Sequence, residues 1–122
     1  MERSFTVPGR PATKGSKNIG RHGQMYEQQS HRLKDWMLTV AQYAMLQRRG
    51  TVFDHDCEVM LTFRIGGRDL DSDKLERAVW DALQEGGLLL DDKFIVFNCT
   101  RKFRKMPDRD QGVDVTIRSV EP

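Results

Sequence analysis

Nine consecutive residues restrict most of what this chain can fold into. Cys57, Val59, Leu61, Phe63 and Ile65 alternate with Glu58, Met60, Thr62 and Arg64. Side chains on a strand point alternately to opposite faces, so this run is a strand with one buried face. A buried sheet face needs a second layer against it. Two helical stretches supply that layer. One starts around residues 27–30 and ends at Gly50, with an apolar stripe of Leu33, Met37, Val40, Ala41, Ala44 and Met45 and Trp36 beside it. The other starts near Asp73, places Leu75, Ala78, Val79, Ala82 and Leu83 at helical spacing, and stops at Gly86-Gly87.

Three further strands complete the pattern. Phe5 and Val7 alternate with Ser4 and Thr6 until Pro8-Gly9. Phe94-Ile95-Val96-Phe97 begins a strand whose odd-numbered face continues through Cys99 and Phe103. After a turn at 106–112, Val113, Val115 and Ile117 alternate with Asp114, Thr116 and Arg118. The order is therefore β-α-β-α-β-β. It predicts a two-layer α+β domain, one mixed sheet with two helices on one face, with all 122 residues in one domain.

The chemistry is concentrated in residues 69–92, which hold eight acidic residues against two basic ones in a chain of net charge +2. Asp69, Asp71 and Asp73 alternate on the approach to the second helix, and Asp91-Asp92 follow it. Alternating carboxylates on extended backbone project the same way and repel one another unless a cation sits between them. Hard oxygen ligands suit Mg²⁺ or Mn²⁺. The return through Leu88-Leu89-Leu90 could bring Asp91-Asp92 to face the first cluster. The plainer reading makes Asp73 a helix N-cap, with Glu76 completing a capping box and Asp91 and Asp92 as turn residues. Spacing alone leaves both open.

Basic residues gather elsewhere. Arg3 to Tyr26 contains five of them and no acid, with Arg10, Lys14, Lys17 and Arg21 in a loop rich in Gly, Pro and Ser over residues 8–24. Such a loop can lie along phosphates, or be a solvated N-terminal loop. Arg101, Lys102, Arg104 and Lys105 interleave with Phe103. They read either as charge delivered to a phosphate backbone or as an edge strand guarded against mispairing.

Several classes are disfavoured. No run of eighteen apolar residues exists to make a transmembrane helix, and no apolar stretch follows Met1 to act as a secretion signal. Two cysteines make no disulfide framework, which points to reducing cytoplasm. Cys57 reads as a buried core thiol. With Cys99 and two of His22, His31 and His55 it would form a zinc site, but the spacing fits no zinc pattern.

Over residues 69–96 the chain resembles the RusA-type Holliday-junction resolvases, a family common in phages and prophages. Their hallmark is Asp-x-Asp, a short helix carrying a Lys and Asp-Ala-Leu, then Asp-Asp about ten residues on. Counting back from Asp81-Ala82-Leu83 selects Asp71 and Asp73 here, and counting forward selects Asp92. A looser likeness covers Phe5 to Tyr26. The resemblance implies that Asp71, Asp73 and Asp92 are catalytic and bind Mg²⁺, or Mn²⁺ in its place, with Asp91 a further ligand or a supporting group. Lys74 stands where many members have Asn, and Arg77 where the functional Lys is usual. Arg77 keeps the positive charge, but a guanidinium does not release a proton as an amine does, so only an electrostatic role carries over.

The implied activity is structure-specific cleavage of four-way DNA junctions in recombination and repair. Lys14, Lys17, Arg21, Lys74, Arg101, Lys102 and Arg104 would hold the DNA. No membrane and no small-molecule cofactor is implied. A junction has approximate two-fold symmetry and needs two matched nicks, while the chain carries one acidic cluster, so a homodimer is expected. Exposed strand edges and the helix flank around Trp36 are its candidate contacts. The competing classes are a non-catalytic module that binds branched DNA and a metal nuclease acting on forks or flaps.

Overall fold

The computed structural model describes residues 1–13, 17–19, 25–27 and 30–120. Along the chain come β1 (Glu2–Pro8), β2 (Lys17–Ile19), β3 (Met25–Glu27), α1 (Ser30–Leu46), β4 (Cys57–Arg64), α2 (Ser72–Glu85), β5 (Ile95–Phe103) and β6 (Gly112–Ser119). Short 3-10 turns stand at Asp92–Phe94 and Asp108–Asp110. Four strands form a mixed sheet in the order β1-β6-β4-β5, in which β4 and β5 are parallel and the other pairs antiparallel. With the two helices this is the expected two-layer α+β arrangement. The addition is a small antiparallel pair, β2 inside the segment 8–24 expected to be a loop and β3 just after it. Three-residue strands are too short to show an alternation.

The alternating runs meet in register. Val59, Leu61 and Phe63 on β4 stand opposite Ile117, Val115 and Val113 on β6, and Val7 and Phe5 on β1 stand opposite Val113 and Val115. All of these but the half-buried Phe5 are at most 1 % exposed. Burying each such side chain contributes about 1.5–3 kcal/mol, which makes this face the main driving force for the fold. The opposite face is held by polar cross-strand pairs: Thr6 donates to Asp114 at 2.9 Å, Arg64 to Asp114 at 2.8 Å and Arg118 to Glu58 at 2.8 Å.

Helix α1 contributes Trp36, Val40, Ala41 and Ala44 to the core. Trp36 is itself only 4 % exposed and packs into this core, while Leu38 on the same helix is exposed. Met45, expected on the stripe, is 55 % exposed. The helix also stops short of Gly50. Gln47 and Arg48 turn back to the carbonyls of Ala44 and Met45, and Arg49 and Gly50 then take positive φ of 44° and 79°. Helix α2 packs on α1 at Gly86, where a Cβ would lie 2.5 Å from the Ala41 carbonyl oxygen. Only a residue without a side chain allows that approach.

Strand β5 departs most from expectation. A register shift between Cys57 and Glu58 sets Cys57 beside Ile95 and Glu58 beside Phe97, skipping Val96. Such an extra residue exchanges the faces that follow it. Phe97, Cys99 and Phe103 consequently lie on the open face, with Phe97 and Phe103 53 % and 48 % exposed. Cys57 is buried on the other face, where desolvation and the neighbouring Asp56 push its thiol up to about 11. The two cysteines are free and on opposite sides of the sheet, so they do not share a metal. No helix among the described residues is long and apolar enough to cross a membrane.

Candidate active site

The N-terminus of α2 is set by Asp71. Its backbone is extended, with φ −63° and ψ 126°, and its Oδ1 accepts a hydrogen bond from the Asp73 N–H at 2.9 Å. The helical ladder starts as the Leu75 N–H donates to the Asp71 carbonyl at 3.0 Å. The cap is therefore Asp71, not Asp73, and the Asp73–Glu76 capping box does not form. Asp73 occupies the first turn, where the positive end of the helix dipole favours a carboxylate. Both side chains are exposed. Arg77 follows Asp73 by four residues, so it shares that flank of the helix. Lys74 lies half-buried in the same first turn.

Asp69 is separated from this pair by its partners. Lys102 Nζ donates to Asp69 Oδ1 at 3.1 Å and to the Leu70 carbonyl at 2.9 Å, and Arg104 Nε stands 3.5 Å from the same carboxylate. The Lys102 hydrogen bond holds the Asp69 carboxyl below the usual carboxylate range, and the Arg104 charge adds to it. Lys102 therefore ties the segment before α2 to β5. Backbone bonds from Lys105 to Gly66 at 3.0 Å and from Met106 to Ile65 at 2.8 Å secure the same connection.

Asp91 and Asp92 lie elsewhere. Asp91 caps the 3-10 turn, its Oδ1 accepting from the Lys93 N–H at 2.9 Å, and Asp92 is exposed beside it. The pair precedes Ile95, which stands beside Cys57 at the start of β4, whereas Asp71 follows Arg64 at its end. Helix α2 runs between these two ends, and fourteen residues span about 20 Å. Within one chain the returning pair therefore stands at the other end of α2 and does not face the first cluster. The cause is the parallel pairing of β4 with β5, because a crossover helix enters at one end of the sheet and leaves at the other. Leu88 and Leu90 fix the exit: Phe53 N–H donates to the Leu88 carbonyl at 2.8 Å, and Leu90 N–H to the Phe53 carbonyl at 3.0 Å. Among the described residues, no group of three or more His, Cys, Asp or Glu is arranged to hold a metal.

Between the two ends lies a polar network that the sequence did not reveal. Glu76 Oε2 accepts from Thr100 Oγ1 at 2.6 Å and from Asn98 Nδ2 at 2.7 Å, and Trp80 Nε1 donates to Asn98 Oδ1 at 3.2 Å. It binds α2 to the helix-facing side of β5, where an apolar contact would be usual. Its signal was the even-numbered run Asn98, Thr100, Lys102, legible only once the faces of β5 are known.

Of the remaining candidates for DNA contact, Arg101 is exposed on the open face of β5 and Arg104 is exposed just beyond it. Lys17 opens β2, while Lys14 and Arg21 lie outside the described residues. The family model described as endodeoxyribonuclease RusA matches residues 8–118. No curated protein matches the chain. The matched span includes both helices, the Asp71–Asp73 pair, Asp92, strands β4 and β5 and all of β6 but Ser119, while of β1 it includes only Pro8. This chain therefore belongs to the RusA endodeoxyribonuclease family, whose members act on Holliday junctions.

Proposed function

We propose that the chain is a Mg²⁺-dependent endodeoxyribonuclease that resolves four-way junctions as a homodimer. The observation that carries the reading is the exposed Asp71–Asp73 pair at the N-terminus of α2, within a chain that the family model matches over residues 8–118. Two carboxylates fit Mg²⁺, which is usually held by one or two of them together with water and phosphate oxygens. Asp71 retains its Oδ2 for this, because the cap uses only Oδ1. Mn²⁺ offers the same oxygen-ligand chemistry. When bound, the metal supplies a water of lowered pKa and charge to offset that on the phosphate.

The protein's own groups do the rest. Backbone N–H groups of the first turn of α2 point out of the helix end and favour a phosphate there. Arg77 adds positive charge near the scissile group and stabilises the charge that develops on it. Arg101 and Arg104, with the basic segment before α1, hold the arms of the DNA through phosphates. Such contacts carry no base sequence, which accords with recognition of branching.

The test is to incubate purified protein with end-labelled four-way junction, linear duplex and fork, in Mg²⁺ or in EDTA. Paired nicks in the junction with Mg²⁺, none with EDTA and an intact duplex are expected. Junction binding without nicks would instead make the chain a binding module. Preferred cleavage of the fork would transfer the activity to that substrate.

A further inference from the structure

Strand β5 presents a polar row to the helix layer, where a packed strand is ordinarily apolar. Asn98, Thr100 and Lys102 lie on that side of the sheet, and together they hold α2 at successive levels. Trp80 Nε1 donates to Asn98 Oδ1 at 3.2 Å. Asn98 Nδ2 and Thr100 Oγ1 both donate to one oxygen, Glu76 Oε2, at 2.7 and 2.6 Å. Lys102 Nζ donates to the carbonyl of Leu70 at 2.9 Å, in the residue directly before the Asp71 cap. The strand therefore grips the helix at Trp80, at Glu76 and at its entrance, in order along its length.

Apolar contact is non-directional, and helices packed by it slide on small forces. Hydrogen bonds of this geometry are directional and fix both the rotation and the axial position of the helix. Replacing buried polar pairs by apolar ones is often neutral for stability, so stability alone does not account for such a row. Lys102 is only 16 % exposed, and its amine is occupied by the Asp69 carboxylate and the Leu70 carbonyl, which leaves it poorly placed to meet a phosphate. The opposite face of the same strand carries the exposed Arg101, with Arg104 exposed just beyond. One strand thus places the carboxylates, through α2, and the arginines, directly.

We propose that Glu76 and Lys102 are positioning residues, which lock the Asp71–Asp73 end of α2 to β5 and so set the carboxylates at a fixed offset from the arginines that hold phosphate. The inference rests on the metal-nuclease reading above and says what aligns its site with the DNA. It also takes Lys102 out of the set of DNA contacts.

Lys102→Met keeps an unbranched stem and removes both hydrogen bonds. Single-turnover nicking of a labelled junction in Mg²⁺ should fall on the order of a hundredfold, the loss expected for a displacement of about 1 Å. Junction affinity in EDTA, and its slope against the logarithm of salt concentration, should stay at the wild-type values. A phosphate contact would do the reverse, weakening binding and reducing the slope by about one while sparing the bound rate. That result would overturn the assignment of Lys102. Glu76→Gln retains an oxygen able to accept from both Asn98 and Thr100 and should nick at close to the wild-type rate, whereas Glu76→Ala should be slowed as Lys102→Met is. Equal loss in Gln and Ala variants would mean that the charge of Glu76 is what matters, and would overturn its positioning role. Wild-type nicking in both Lys102→Met and Glu76→Ala would overturn the inference entirely.

A measurement without activity separates this inference from the nuclease reading. The Leu75 N–H donates to the Asp71 carbonyl in the first turn of α2, and its hydrogen exchange reports how firmly that turn is held. Exchange at Leu75 should be about tenfold faster in Lys102→Met than in wild type, with exchange at Leu83, late in the helix, unchanged. Equal exchange at Leu75 in the two proteins would overturn the lock. Faster exchange there in a protein whose wild type nicks no junction would uphold the lock and overturn the nuclease reading alone.

Discussion

Asparagine caps a helix as well as aspartate does, and this separates the two roles of Asp71. Asp71→Asn keeps an oxygen for the Asp73 N–H and should leave the melting temperature nearly unchanged, while junction cleavage is lost. Asp71→Ala loses the cap as well and should cost about 1 kcal/mol, read as a fall of a few degrees in thermal denaturation. Asp69 behaves differently because its carboxyl is held low by Lys102 and Arg104. A carboxyl with a lowered folded value stabilises the fold above its ordinary value, near pH 4, and loses that contribution as pH falls through the lower folded value. Asp69→Asn should therefore melt slightly below wild type at pH 7, with the gap closing as pH falls below the ordinary carboxyl range, and should spare cleavage. In the sequence, Asp69, Asp71 and Asp73 are three equivalent alternating carboxylates. The count back from Asp81 distinguished them, but the reason Asp69 stands apart did not show, because its partner Lys102 lies 33 residues further on.

Elements whose signals are local were legible. Helix α2 runs Ser72–Glu85 and ends at Gly86-Gly87 as its apolar spacing and glycines indicate, with Gly87 at φ 76°. Gly86 has a further role that spacing does not show, since it admits the Ala41 carbonyl of α1. Its φ of −72° suits any residue, so the obstacle to a side chain is steric alone. Gly86→Ala should destabilise the protein by about 1–3 kcal/mol, measured as a lower urea midpoint, as the helices are forced apart. Strand β5 was legible as a strand but not in its facing. One skipped residue, Val96, decides which half of the strand meets α2, and hydrophobicity pointed the other way. Asn98 and Thr100 are turned inward because Glu76 and Trp80 are there to receive them.

For the whole molecule, the layers and element order follow from the sequence, while the sheet order β1-β6-β4-β5 does not. Alternation says which face of a strand is buried and nothing about which strand lies beside it. The parallel placement of β5 next to β4 is therefore where the expected site changed, since it sends Asp92 to the far end of α2. The aspartates were recognisable by type and spacing; where the fold puts them was not. What stands at the centre of the account is that the acidic α2 N-terminus serves chemistry and not stability. The most direct measurement is of Asp73→Asn, comparing nicking of a labelled four-way junction in Mg²⁺ with binding of the same junction in EDTA. Neutralising a carboxylate near phosphates removes a repulsion, so binding should be unchanged or tighter while nicking is lost and the melting temperature holds. A variant that still nicks the junction at the wild-type rate, with only its melting temperature lowered, would contradict the account.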